Sequence, residues 1–258
     1  MKKTIIAAAI SAAILVPTLS IAETTLYGNF RGSIALIDDD SVSDSNTQFR
    51  NNASRLGVKG EYGEEGGLTG FFHLQMGADN DASDGSSTAL TDRFYFAGVK
   101  GSFGKVMAGR FSSSYKMAGL KTDPFYDTSA GMGHGGANHG LSSLTNGFLQ
   151  NGVSYISPKV MGAVTVNAAI FLDNEDNAPN ALDPQSNPKN VGITYNAGGI
   201  TGSVQHFTDA DVNGEGATRG TFAYAANAFA VALSYEDWDS GDEFTYLSGS
   251  YQFSDNTK

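Results

Sequence analysis

After residue 22 the chain repeats a simple unit. Segments of roughly ten residues with alternating apolar and polar side chains are joined by connections that are in turn long and short. Strands are predicted near 24–37, 53–62, 68–78, 92–101, 105–112, 147–157, 163–173, 189–196, 200–207, 218–226, 228–237 and 244–253. In the segment 228–236, Phe229, Val231, Leu233 and Tyr235 oppose Ala230, Ala232, Ser234 and Glu236. In 163–172, Val164, Val166, Ala168, Ile170 and Leu172 oppose Thr165 and Asn167. In 55–62, Leu56, Val58 and Tyr62 oppose Arg55, Lys59 and Glu61. A period of two with one apolar face means a sheet with one dry side and one wet side.

A soluble sandwich would alternate in the same way, so the connections decide. Short turns fall at 63–67, 102–104, 158–162, 197–199 and 226–227, and long polar loops at 38–52, 79–91, 113–146, 174–188, 208–217 and 238–243. Long and short alternate strictly, so an up-and-down meander has all its long loops on one rim and all its short turns on the other. A Greek-key sandwich would scatter them. The strand lengths match the roughly 9–11 residues of a tilted strand crossing a bilayer. The expected fold is therefore all-β: an antiparallel up-and-down transmembrane β-barrel.

Composition fits lipid outside and water inside. The chain carries 32 glycines, 16 Phe and 11 Tyr, while its large aliphatic residues are scattered, which suits a curved wall better than a bulky interior. It has no cysteine, so an exported protein of this kind must be held together by hydrogen-bonded strands. Pro124, Pro158, Pro179, Pro184 and Pro188 all lie in connections, where no ladder bond is lost. Export itself is predicted from residues 1–22: Lys2 and Lys3, an apolar run to Val16, Pro17, and small residues ending at Ala22, a signal peptide with cleavage before Glu23. Losing two lysines and no acid takes the formal charge from −11 to −13, which argues against nucleic acid as a partner.

Several stretches resemble the general (trimeric) porins of Gram-negative bacteria. Thr25-Leu26-Tyr27-Gly28 is similar to their first strand, and Ser54-Arg55-Leu56-Gly57-Val58-Lys59-Gly60-Glu61 to their second. Arg93-Phe94-Tyr95-Phe96-Ala97-Gly98-Val99, then Phe103-Gly104-Lys105-Val106-Met107-Ala108-Gly109-Arg110, resemble the fourth and fifth. Asn151-Gly152-Val153-Ser154-Tyr155-Ile156-Ser157-Pro158 resembles the sixth, and the likeness runs through residues 23–258 in order.

The resemblance implies a passive, water-filled channel for small hydrophilic solutes and ions in the outer membrane, a homotrimer, contact with membrane lipid and lipopolysaccharide, and no cofactor. It implies that 113–146, the longest connection, folds into the barrel and narrows it, with Asp123 and Asp127 at its acidic tip. Arg55 and Arg93 match the family's basic cluster on the facing wall, and Arg31 is placed with them. Opposed fixed charges would set a transverse field across the neck, favouring dipolar solutes and biasing ions by sign. Alternation puts Arg55 on one face with Lys59 and Glu61, and Arg93 on the face opposite Phe94 and Phe96.

Two departures stand out. Phe148 occupies a position where the family commonly has arginine, which predicts a cation bias. The family closes with sixteen strands and ends on an aromatic residue; about twelve are predicted here, before Ser254-Asp255-Asn256-Thr257-Lys258, so a C-terminally incomplete barrel is expected. Non-conducting structural or adhesive barrels and substrate-specific porins remain alternatives.

Other motifs are weak. His134, His139 and Met132 lack a third fixed ligand, and Asp209-x-Asp211-x-Asn213-Gly214 has Gly220 where a calcium loop needs glutamate. His73 has no nucleophile or orienting acid at fixed spacing, and no enzyme is predicted.

Overall fold

A computed structural model of the chain describes residues 23–37, 46–63, 66–78, 90–127, 148–172, 187–209 and 215–253. The predicted signal peptide over 1–22, residues 128–147 of the long connection with its histidines, and the 210–214 part of the calcium-like motif lie outside the described residues.

Fourteen strands and one short helix are described: β1 (Glu23–Asn29), β2 (Gly32–Ile37), β3 (Asn46–Asn51), β4 (Arg55–Gly63), β5 (Thr69–Ala78), β6 (Leu90–Gly101), β7 (Gly104–Phe111), α1 (Ser114–Leu120), β8 (Leu149–Ile156), β9 (Val164–Phe171), β10 (Lys189–Ala197), β11 (Ile200–Thr208), β12 (Ala217–Ala226), β13 (Phe229–Trp238) and β14 (Glu243–Tyr251). Twelve of the strands form one antiparallel sheet in the order β1-β4-β5-β6-β7-β8-β9-β10-β11-β12-β13-β14, a meander of neighbouring hairpins. Among the described residues β14 is not paired with β1, so this twelve-stranded sheet is open.

The single strand expected over 24–37 is two. It breaks at Phe30-Arg31, and β2 leaves the main sheet to pair with β3, which lies inside the stretch read as a loop. Ser54 holds the break. Its hydroxyl accepts from the Arg31 N–H at 2.9 Å and donates at 3.1 Å to the Arg31 carbonyl, which also accepts from the Asn52 N–H at 3.0 Å. Alternation between Leu26 and Leu36 is almost unbroken by this, which is why period two missed it.

Burial is inverted relative to a soluble sheet. Val231, Leu233, Val204, Val191, Ile193 and Leu247 are exposed, whereas Ser203, Gln205, Arg219, Ser234 and Glu236 on the other face are buried. An apolar face turned outward is stable against hydrocarbon, not water. Exposed aromatics gather beside the short turns: Phe103 and Tyr155, Tyr195, Tyr224, Phe229, Tyr251 and Phe253. Rings with one polar tip suit the boundary between lipid and headgroups, so the short-turn rim carries an interfacial girdle.

The polar face is covered by the segment that follows β7. Ser113 caps α1, its hydroxyl accepting from the Lys116 N–H at 3.1 Å, and the Tyr115 N–H donates to Asn190 Oδ1 at 3.1 Å. Tyr115 packs with Phe111, Leu149, Phe171 and Phe207 in a small apolar core inside the curve of the sheet. Arg219 is the central anchor. It donates to the Tyr115 carbonyl at 3.0 Å and to Glu236 Oε1 at 3.0 Å, lies 4.2 Å over the Tyr115 ring, and Glu236 also accepts from the Tyr115 hydroxyl. Gly119 is required here, because a Cβ would come within 2.5 Å of Arg219 Nη1.

Both members of the Arg219–Glu236 pair are fully buried, so removing one leaves an uncompensated charge. Arg219→Met is expected to destabilise the folded protein by about 3–5 kcal/mol, and Arg219→Met with Glu236→Leu by much less. Urea unfolding of the lipid- or detergent-borne protein checks both.

Candidate functional site: a charged neck inside the sheet

Beyond α1 the chain crosses the interior. Ser248 of β14 donates to the Thr122 carbonyl at 2.6 Å, and the Tyr246 hydroxyl of the same strand donates to Asp123 Oδ1 at 2.9 Å. Asp123 Oδ1 also accepts from the Phe125 N–H at 2.8 Å. Four residues later Asp127, with a left-handed φ of 67°, reaches the opposite side. There its Oδ2 accepts from Arg31 Nη1 at 2.6 Å and from Arg55 Nη2, and the Tyr126 carbonyl accepts from Arg31 Nη2 at 3.5 Å.

The structure therefore brings Arg31, Arg55 and Asp127 together and separates Asp123 from them. Asp127 is not poised across open water from the arginines but bonded to both, with 2% of its side chain exposed. The break in the first strand makes this possible: Arg31 sits at the bend between β1 and β2, while Arg55 opens β4, and its Nε is tied to the Ala53 carbonyl at 2.9 Å.

Arg93 arrives by a different device. The pairing of β5 with β6 shifts register, with Gln75 opposite Phe94 but Met76 opposite Asp92, so Arg93 is the extra residue of a β-bulge. This corrects the expectation that Arg93 opposes Phe94 and Phe96. All three face inward: Phe94 and Phe96 contact His73, and Arg93 Nε donates to Gln75 Oε1 at 2.8 Å. Gln75 is tied in turn to the Tyr27 hydroxyl at 2.6 Å. A one-residue bulge inverts the phase of every residue on one side of it, and alternation alone cannot reveal it.

Lys116 of α1 belongs to the same cluster and was missed. Attention fell on the acids of this connection, although Lys116 and Lys121 are its two basic residues. The Lys116 Nζ lies 4.4 Å from the centre of the Phe148 ring, and the Arg93 guanidinium lies 4.5 Å from the same ring. Position 148 lacks a charge of its own, but its aromatic face is bracketed by two cations. Burial, and then the neighbouring Arg93, lower the Lys116 ammonium to about 7, with Asp127 pulling up and Arg55 further down. Burial raises the Tyr126 hydroxyl, reinforced by Asp127 and opposed by Arg93 and Arg55.

Arg31, Arg55, Arg93 and Lys116 thus gather around Asp127, while Asp123 is bonded to β14. Such a cluster of fixed charges can act on small ions by its field.

Comparison with known proteins agrees with this architecture. The family model described as Gram-negative porin matches residues 6–258. The major outer membrane protein P.IB of Neisseria gonorrhoeae is 28% identical over 130 residues, 48% of this chain and 36% of that protein. Its counterpart in Neisseria sicca is 28% identical over 137 residues, 50% of this chain and 37% of that protein. The matches thus span little more than a third of these relatives' length. Among solved structures, the anion-selective porin from Comamonas acidovorans shares the fold with a TM-score of 0.65 at 19% identity, covering 90% of this chain and 75% of that one. A triple mutant of the Rhodopseudomonas blastica porin gives 0.56 at 15% identity, covering 90% and 91%. With a family match over nearly its whole length, the chain belongs to the Gram-negative porins and is an outer-membrane protein.

Proposed function

We propose that the protein is a passive, water-filled diffusion channel for small hydrophilic solutes and ions, working as a homotrimer, with its neck at Arg31, Arg55, Arg93, Lys116 and Asp127. The observation that carries this reading is the crossing segment 114–127. It lies against the polar face of the sheet and is bonded to β14 at Asp123 and to β4 at Asp127. A segment anchored at both ends across an interior narrows it without depending on its own stability.

The cluster's charge supports a preference for anions. Three arginines, joined below about pH 7 by Lys116, stand against Asp127, whereas Phe148 alone suggested the reverse. The trimer and the solute range rest on kinship with the porins. A non-conducting barrel is the competing reading, and stepwise conductance in planar bilayers separates the two: a plugged barrel gives no steady steps.

Two outcomes test the neck. Asp127→Asn removes the counter-charge of two guanidiniums. One unit charge at about 4 Å in water is worth about 1 kcal/mol to each ion, favouring chloride and disfavouring potassium, so the chloride-to-potassium permeability ratio should rise up to about 30-fold. Asp123→Asn removes a charge too and should shift the ratio in the same direction, while asparagine keeps the Oδ1 that accepts from Tyr246 and so leaves the segment anchored. Reversal potentials in a salt gradient measure both, and no change for Asp127→Asn refutes the assignment.

The second outcome is a pH dependence. Lys116 loses its proton as pH rises through about 7, so anion preference should fall between about pH 6 and 8. In Lys116→Gln that step should vanish.

A further inference from the structure

We propose that the inner wall formed by β5 to β8 recognises small aromatic carboxylates; this rests on the channel reading and names the solute class it favours. Four phenylalanines form a ladder on that wall. Ring centroids lie 6.4 Å apart for Phe71 and Phe96, 5.8 Å for Phe96 and Phe94, and 5.1 Å for Phe94 and Phe148. Each successive pair meets edge to face, with interplanar angles of 73°, 74° and 81°. Edge-to-face contacts leave ring faces and edges available to a further ring.

These rings are not simply core. Phe111, Phe171 and Phe207 beneath α1 are at most 2% exposed, whereas Phe71, Phe94, Phe96 and Phe148 are only half-buried. At the end of the ladder near the short turns, Phe71 and Phe96 line an open depression of about 380 Å³, together with His73, Lys59, Lys105 and Glu61. That volume is within the range of small-molecule sites. A Cβ at Gly98 would come within 2.2 Å of the Val106 carbonyl and 2.5 Å of Phe71 Cζ, so glycine there serves both the approach of β7 and the seat of the Phe71 ring.

Cations stand at both ends. Lys105 Nζ is 4.5 Å from the centre of the Phe71 ring and 5.9 Å from that of Phe96. At the neck, Arg93 and Lys116 flank Phe148. The one acid in the depression, Glu61, is paired with Lys100 at 2.5 Å, which leaves Lys59 and Lys105 to set the local sign.

A solute with one negative group and one aromatic ring matches this pattern at every step. Its carboxylate meets Lys59 and Lys105 in the depression and Arg93 and Lys116 at the neck, while its ring passes from Phe71 and Phe96 to Phe94 and Phe148. A halide engages only the charges, and a neutral aromatic only the rings. Several weak sites in series favour entry without trapping the solute, as conduction requires.

The test uses the full outer-membrane protein in planar bilayers carrying potassium chloride, with benzoate or cyclohexanecarboxylate added. The two acids share charge and approximate size and differ in the aromatic ring. Benzoate is expected to reduce chloride current at a half-effect concentration about 3- to 10-fold below that of cyclohexanecarboxylate. Phe71→Leu with Phe96→Leu should bring that ratio to about one. Lys105→Gln should raise the half-effect concentration of both acids together, and it tests the site should the double variant fail to insert. Equal potency of the two acids on the unaltered protein, with chloride steps present, overturns the aromatic proposal alone. No chloride conductance at all overturns the channel reading and this proposal with it.

Discussion

Because most aliphatic side chains of this sheet point away from its interior, the interior is organised largely by polar contacts. Burying charge is costly unless each charged group is paired and hydrogen-bonded. The crossing segment meets that condition at its two ends. Arg219, Glu236 and Tyr115 bind α1 to β12 and β13, and Arg31 and Arg55 bind Asp127 at the other side. Between them, Asn190, Gln205 and Asn167 join the strands through side-chain amides, with the Asn167–Gln205 pair bonded at 3.0 Å in both directions. The crossing segment is placed by this network together with the small apolar core around Tyr115.

The same constraint explains the charge at the neck. A carboxylate that must stay buried draws cations to itself, and here two arginines reach it because the first strand bends at Arg31 and the ladder resumes at Arg55. Arg93 and Lys116 add positive charge stacked on Phe148, a ring that holds cations by its face without neutralising them. The outcome is a neck whose sign is set by what the crossing segment brings as much as by the wall.

Most of the meander was legible. Alternation placed the hairpins from β4 to β14 to within a few residues, because period two is a direct consequence of strand geometry and one face had to be apolar. The faces of β13 came out as read, with Leu233 exposed and Ser234 buried. Four features were not legible, each for a physical reason. The break at Phe30-Arg31 depends on Ser54, twenty-three residues away. The bulge at Arg93 adds one residue without any compositional mark. Lys116 looked like an ordinary loop lysine, and only its seat on a capped helix turns it toward Phe148. The separation of Asp123 from Asp127 likewise depends on Tyr246 and Ser248, more than a hundred residues on.

What the account most depends on is that the exposed apolar face of the sheet meets hydrocarbon. Spin labels placed one at a time along β13, from Ala230 to Glu236, measure this in reconstituted bilayers through collision with oxygen, which partitions into lipid, and with a water-soluble nickel complex. The account predicts strict alternation, with oxygen quenching greatest at Val231, Leu233 and Tyr235, which are exposed. Uniform access of the nickel complex to those three positions would contradict it.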